Sequence, residues 1–314
     1  MILVAGLTPA WQQTLVFDIF RHGEVNRAAE AHWTASGKVL NAATAAGHLG
    51  ADCLALAPLG GHAVGEIDRR FEEFGIARRW IETRAPTRVC TTIIERSTGT
   101  MTELVENGRP LTADELDRFH RAFANEAARA DVVVLIGSLP RETPPTYYRE
   151  LLKTTRGSAV LDFRGEGLLH CLDLKPLVVK PNREELAQTL GRKLDTDEVL
   201  LEAMREVNAQ GASWVAVTDG PRAVWLTSTD RAYRFQPPRI DNPVNPLGCG
   251  DSMAAAIAWA VQQGHDVVEA VRLGIAAAGD NLRHLLHGRL DPERVKQGAK
   301  QVCVEALESW NHEG

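Results

Sequence analysis

From about residue 130 onward the chain alternates short, continuously apolar runs with helical patterns, and few folds accommodate that rhythm. Asp131–Gly137 (DVVVLIG), Ser158–Phe163 (SAVLDF), Leu177–Lys180 (LVVK) and Trp214–Thr218 (WVAVT) read as strands. Their hydrophobicity is unbroken rather than alternating, which predicts burial on both faces. Pro144–Thr154, Asn182–Leu190 and Thr196–Gln210 between them read as helices. Regular β-α alternation predicts an α/β fold, a parallel sheet wrapped by helices. Ile2–Leu7 and Cys53–Leu59 are expected in the same sheet. Trp11–Ala35 and Arg88–Val105 break the rhythm, with strand-like stretches and no helix between them, and are expected to form a small antiparallel sheet beside the main one. The last third is expected to be helical, over Ser252–Gln262, Val267–Leu286 and Pro292–Glu308.

The 314 residues suffice for one large domain with a full core. A formal net charge of -6 argues against nucleic acid or an anionic membrane as partner, so an anionic substrate needs a local basic cluster. No apolar run approaches a membrane span, and the first residues lack the pattern of a signal peptide. Five widely spaced cysteines with no CxxC pair indicate neither a disulfide framework nor a zinc site. A reducing cytoplasm is the expected setting.

The sharpest local feature is Gly248-Cys249-Gly250-Asp251 at the head of an Ala-rich apolar helix. Glycines let the backbone approach a ligand closely, and a helix start presents free N–H groups that favour an anion. A carboxylate there could take a proton from a hydroxyl attacking a phosphoryl group. Asp and Gly are also ordinary helix-capping residues, so the segment alone does not decide. A dinucleotide fingerprint is excluded by Met253 at the third glycine position. A P-loop around Ser36-Gly37-Lys38-Val39 is excluded by His32 and Val39 at its first glycine and hydroxyl positions.

Lys180-Pro181-Asn182-Arg183-Glu184-Glu185 follows a strand, where open α/β sheets bind ligands. Asn182 and Glu185 share a face of the first helical turn, and an amide oxygen with a carboxylate suits hydrated magnesium. The same pair is equally a capping box. Lys38 and Arg88 together could neutralise a substrate phosphate, although either alone reads as a surface cation.

Taken together these segments resemble the ribokinase-like carbohydrate kinases, also called the pfkB family, nearly end to end. Gly248–Asp251 matches the GAGD signature with Cys249 in the alanine place. Lys180-Pro181-Asn182 with Glu185-Leu186 matches KPNxxEL, Ile136–Pro140 matches the GSLP turn, and Thr218 with Gly220 falls on the nucleotide-contacting turn. Leu7–Ala10, Val25–Arg27, Ser36–Lys38 with Asn41, Thr87-Arg88, and Thr102-Glu103 leading to Asn107-Gly108 are most similar to the branch of 1-phosphofructokinase and tagatose-6-phosphate kinase.

The resemblance implies a three-layer α/β/α domain over residues 1–314 with a mostly parallel sheet. It also implies a β-sheet lid at about 11–35 and 88–105, which could serve as a homodimer contact. It implies ATP-dependent phosphorylation of a sugar phosphate: Asp251 as general base, Gly248, Cys249 and Gly250 stabilising the transferring phosphoryl group, and Asn182 and Glu185 organising Mg2+ through water. Lys180, Thr218 and Gly220 would line the ATP site, and Gln12, Gly37, Lys38, Asn41, Arg88 and Ser138 the acceptor site.

Departures concentrate on the acceptor side. Thr8 stands for an Asn, Gln12-Gln13 for Asp-Arg, and Ser36 and Val39 for two glycines of GGKG. The Asn beyond Arg88 is replaced within Val89-Cys90-Thr91. DTSG becomes Asp162-Phe163-Arg164-Gly165, and Ala223 replaces the second glycine of the nucleotide turn. An acceptor other than fructose 1-phosphate or tagatose 6-phosphate is therefore expected. A kinase of an unphosphorylated sugar or nucleoside, and a catalytically silent sugar- or nucleotide-binding regulator, are the alternatives. Lys38 and Arg88 weigh against the first and Asp251 against the second.

Overall fold

In the computed structural model, which describes residues 1–307, the apolar runs lie side by side in one ten-stranded sheet. In chain order its strands are β1 (Ile2–Ala5), β4 (Cys53–Leu59), β5 (Ala77–Glu82), β8 (Val132–Ile136), β9 (Ser158–Asp162), β10 (Val178–Val179), β11 (Trp214–Val217), β12 (Val224–Thr227), β13 (Ala232–Gln236) and β14 (Cys303–Ala306). Their spatial order is β14-β13-β12-β11-β10-β9-β8-β1-β4-β5. The seven strands from β11 to β5 are parallel, and β12, β13 and β14 add an antiparallel edge.

The unbroken hydrophobicity has the expected cause. Ile2 and Val4 of β1 join one core while Leu3 and Ala5 join the other. Helices α1 (Lys38–His48), α2 (Ala63–Glu73), α8 (Cys249–Gln262), α9 (Val267–Asn281) and α10 (Pro292–Ala299) cover the first face. Helices α3 (Ala113–Ala127), α4 (Tyr147–Leu152), α5 (Glu166–Leu169), α6 (Arg183–Leu190) and α7 (Asp197–Ala209) cover the second. Among the described residues no helix is long and apolar enough to cross a membrane, and all five cysteines are free.

The smaller sheet has the order β3-β2-β6-β7, built from β2 (Ala10–Phe17), β3 (Glu30–Ser36), β6 (Arg88–Glu95) and β7 (Thr100–Val105). It is mixed rather than antiparallel. The outer pairs are antiparallel hairpin-like partners, but β2 and β6 run parallel at its centre, because the chain passes through β3, α1, β4, α2 and β5 between them. The expected helix from Pro292 ends at Ala299. Val302 is buried, and the following residues extend along β13 as β14; Glu308 lies outside the described residues. The helix expected to reach Leu286 ends at Asn281, whose side chain is committed to the loop that follows.

Two buried helices carry the site into place. Helix α8 packs on α9 at Gly274, where an added Cβ would lie 2.9 Å from Met253 Cγ and 3.0 Å from Ile257 Cγ1. That close approach requires glycine. Gly274→Val is predicted to wedge the helices apart and destabilise the protein by about 1–3 kcal/mol, measured as the urea midpoint. A midpoint unchanged from wild type would show that the contact is not tight.

Candidate active site

The carboxyl ends of the parallel strands and the smaller sheet face each other across a cleft of about 1160 Å³. Strand order reverses around β1, whose neighbours β4 and β8 leave in opposite directions, and such a point is where open sheets leave a crevice. Of the predicted site residues, Gln12, Gly37, Lys38, Asn41, Arg88, Lys180, Asn182, Glu185, Thr218, Gly220 and Gly248–Asp251 all line it. Ser138 does not: it is exposed, and its carbonyl accepts a hydrogen bond from Thr8 Oγ1 at 3.3 Å.

Asp251 lies in the first turn of α8, buried against solvent. Asn41 Nδ2 donates to its Oδ2 at 2.8 Å. Burial pushes its carboxyl up to about 6, opposed by the nearby Lys38 ammonium. This helix has no side-chain cap, and Gly248 leads into it with φ +80. A Cβ on Gly248 would lie 2.7 Å from the Cβ of His287, so the turn tolerates only glycine. His287 is itself buried, and burial pushes its imidazole down to about 4, leaving it neutral. Asn281 pins the turn from below. Its Nδ2 donates to Leu247 O at 2.8 Å, and its Oδ1 accepts from Gly288 N at 2.8 Å and Ser252 Oγ at 3.2 Å. Burial raises the Cys249 thiol to about 11, so it behaves as a small apolar group where an alanine was expected.

Lys180, at the end of β10, ion-pairs with Asp162 at the end of β9 at 2.9 Å. A Cβ on Gly250 would lie 3.5 Å from its Nζ, which places the amine over the open turn. Asp162 also pairs with Lys38 at 2.9 Å. Burial opposes ionisation of Asp162, yet the Lys180 and Lys38 ammonium groups hold its carboxyl below the usual range. Lys38 is charged for the converse reason: burial opposes it, but Asp162, Glu185 and Asp251 together push its amine above the usual lysine value.

The capping-box reading of Asn182 and Glu185 is realised. Asn182 Oδ1 accepts from Glu185 N at 2.7 Å, and Glu185 Oε2 accepts from Asn182 N at 3.0 Å. The other oxygen, Oε1, accepts from Lys38 Nζ at 3.0 Å. Among the described residues no group of three or more His, Cys, Asp or Glu side chains is arranged to hold a metal ion. One carboxylate on the cleft wall nevertheless fits magnesium, which keeps several waters and takes other ligands from nucleotide phosphates. The turn after β11 joins the same wall: Arg183 N donates to Thr218 O at 2.8 Å, and Gly220 follows at φ +57.

At the opposite end, Gly37 precedes α1 with φ +82, and a Cβ there would strike Thr8 O at 2.6 Å. Gln12, buried on β2, donates to Thr92 Oγ1 at 2.8 Å. Arg88 is braced by three carbonyls: Nε donates to Pro9 O, Nη2 to Thr8 O and Nη1 to Glu106 O. Glu103 of β7 also lines this end.

Sequence reasoning missed three parts of the cleft as site residues. Asp162 was read only as a departure within Asp162–Gly165, although an acid ending an apolar strand is itself a signal. Glu103 lay within a matching segment without a role. The apolar wall formed by Pro237, Pro238, Ile240, Val244, Ile275 and Leu282 had no usable pattern.

These features are those of an enzyme that handles an anion beside a buried carboxylate on an α/β frame. Residues 4–285 match the pfkB family of carbohydrate kinases. The chain belongs to that family, and its class of reaction is phosphoryl transfer to an alcohol group. Among solved structures it is similar to a Thermotoga maritima protein described as a possible 1-phosphofructokinase, with 20% identity over 98% of this chain and 100% of that one, TM-score 0.88. It is also similar to phosphofructokinase-2 of Escherichia coli in its tetrameric inhibited form, with 22% identity over 96% and 98% of the two chains, TM-score 0.87. At such identities these structures establish the shared fold.

Asp162→Asn leaves two lysines without their common partner, one of them fully buried, and breaking a buried pair costs several kcal/mol. The substitution is predicted to lower stability by about 3 kcal/mol in urea at neutral pH. Since the folded carboxyl titrates below its unfolded value, the contribution is complete at neutral pH and fades only as pH falls below about 4. A constant difference from pH 7 down to pH 3 would contradict this.

Proposed function

We propose that the protein transfers the γ-phosphoryl group of ATP to a hydroxyl of a sugar phosphate, with Asp251 as general base. The observation that carries the reading is a buried carboxylate, raised to about 6, set within the uncapped start of α8. Asn41 holds one of its oxygens, and the other takes the proton of the acceptor hydroxyl as the oxygen attacks phosphorus. The bond to the bridging oxygen breaks, and ADP departs. Backbone amides at Gly248, Cys249 and Gly250, with the helix dipole, favour the negative charge of the transferring group. Lys180 reaches the same phosphates from above Gly250. The Pro237–Leu282 wall covers the base of the nucleotide, and Thr218 and Gly220 flank its phosphates.

When bound, magnesium supplies positive charge against the terminal phosphates, approached through water by Glu185 beside Asn182. At the acceptor end, Arg88 is pre-oriented by its carbonyl braces to meet a phosphate with its remaining donors, beside Lys38. Gln12, its amide nitrogen tied to Thr92, offers its amide oxygen to a sugar hydroxyl, and Gly37 lets the start of α1 close against the Thr8–Ala10 backbone at this end. The smaller sheet acts as a lid that excludes water. Trp33 and Leu104 are exposed on its far side, where a second copy would bury them.

A second reading, transfer to an unphosphorylated sugar, is favoured by two observations: Lys38 already has two carboxylate partners, and Glu103 adds an acid near Arg88.

With whichever acceptor supports turnover, Asp251→Asn is predicted to lower kcat by about a thousandfold while ATP still binds. Because the base must be ionised, kcat/KM for wild type should fall about tenfold per pH unit below about 6 and level off above it. A silent binding protein would show no turnover to lose, and a profile flat down to pH 5 would remove Asp251 from the role of base.

A further inference from the structure

Four charged side chains form one continuous series across the cleft. Lys180 Nζ lies 2.9 Å from Asp162 Oδ2, Asp162 Oδ1 lies 2.9 Å from Lys38 Nζ, and Lys38 Nζ lies 3.0 Å from Glu185 Oε1. The series joins the two halves of the cleft, since Lys180 stands at the Gly250 turn and Lys38 directly follows Gly37. Its middle is unevenly matched. Asp162 is shared by two lysines, whereas Lys38 has two carboxylates for one positive charge. A phosphate approaching Lys38 therefore meets an ammonium group already neutralised, with the Asp251 carboxylate close by. Glu185 is the partner that can let go. Its Oε2 is fixed by Asn182 N at 3.0 Å, so it keeps its place on α6 whether or not Oε1 holds Lys38.

We infer that Glu185 couples the two halves of the cleft: its Oε1 holds Lys38 while the nucleotide half is empty, and a nucleotide with its divalent cation draws Oε1 off Lys38, with Oε2 still on Asn182 N, and so releases Lys38 to the anionic end of the acceptor. The inference rests on the proposed pairing of nucleotide and sugar phosphate. Its physical ground is charge balance. A dication, even through a bridging water, attracts Glu185 more strongly than a single ammonium, and the freed ammonium then lacks one of its two counter-charges. Such coupling is reciprocal, so acceptor must tighten nucleotide by the same factor as nucleotide tightens acceptor.

The test is calorimetric titration of fructose 6-phosphate and ribose 5-phosphate into the full-length protein. Each titration is run alone, with a non-hydrolysable ATP analogue, and with the analogue plus magnesium. In wild type, analogue plus magnesium is expected to tighten sugar-phosphate binding by about 5- to 100-fold, and analogue alone by much less. Glu185→Gln keeps an oxygen to accept from Asn182 N, so the helix cap survives, but it removes the charge that holds Lys38. This variant should bind sugar phosphate more tightly than wild type without nucleotide, and analogue plus magnesium should add less than about twofold. Equal affinities in wild type with and without the complex, or undiminished coupling in Glu185→Gln, would overturn the inference. Should neither sugar phosphate bind while a free sugar supports Asp251-dependent turnover, the kinase stands and the coupling is wrong. Should there be neither binding nor turnover with any acceptor, the proposed function falls with it.

Discussion

Asp162 is the constraint around which the site is organised. It ends a strand between two lysines, one from the next strand and one from the first turn of α1, and it is almost completely buried. A buried carboxylate is tolerated only when its charge is answered, so β9, β10 and α1 must converge on one point. The pairs add little net stability over an apolar core of the same shape, but they are intolerant of misplacement. Fixing Lys38 also fixes Gly37 before it and Asn41 one turn later, and Asn41 is the residue that holds the Asp251 carboxylate. One buried charge thus sets the geometry at both ends of the cleft.

The chemistry follows from a contrast between two buried aspartates. Asp162 is held ionised by its lysines, whereas Asp251 has a neutral amide as its nearest partner and is raised to about 6. Environments that push two carboxyl groups apart in this way separate a structural charge from a group able to exchange protons near neutral pH. Around Asp251 the backbone is arranged for close approach. Gly248 is forced by His287 beneath it, and Asn281 takes up the polar groups of the turn, leaving the start of α8 facing the cleft.

The fold was legible because double-sided burial leaves an unmistakable trace: each strand of the parallel core alternates its side chains between two apolar layers, so the runs are continuous. The α8 turn and the Lys180–Glu185 segment were legible because their chemistry is local in sequence. What was not legible depends on distant partners. β14 was read as helix because nothing near Cys303–Ala306 reveals that β13 has an open edge beside it. The parallel pairing at the centre of the small sheet depends on how the chain returns after β5, which no short pattern encodes. Lys38 was expected to serve only the acceptor, and its ties to Asp162 and Glu185 span 124 and 147 residues. Ser138 was placed at the site by its motif; it is exposed, and its carbonyl accepts from Thr8 Oγ1.

The altered acceptor end, with Gln12, Ser36 and Cys90 among otherwise retained surroundings, makes the identity of the acceptor the decisive question. The most direct measurement is mass spectrometry of products formed from ATP and magnesium with a panel of hexose phosphates, pentose phosphates and free sugars. The account predicts that phosphorylated acceptors, and not the free sugars, gain one phosphoryl group as ADP appears. Phosphorylation confined to free sugars would contradict the role given to Lys38 and Arg88, and no product from any acceptor in protein that binds ATP would contradict the account as a whole.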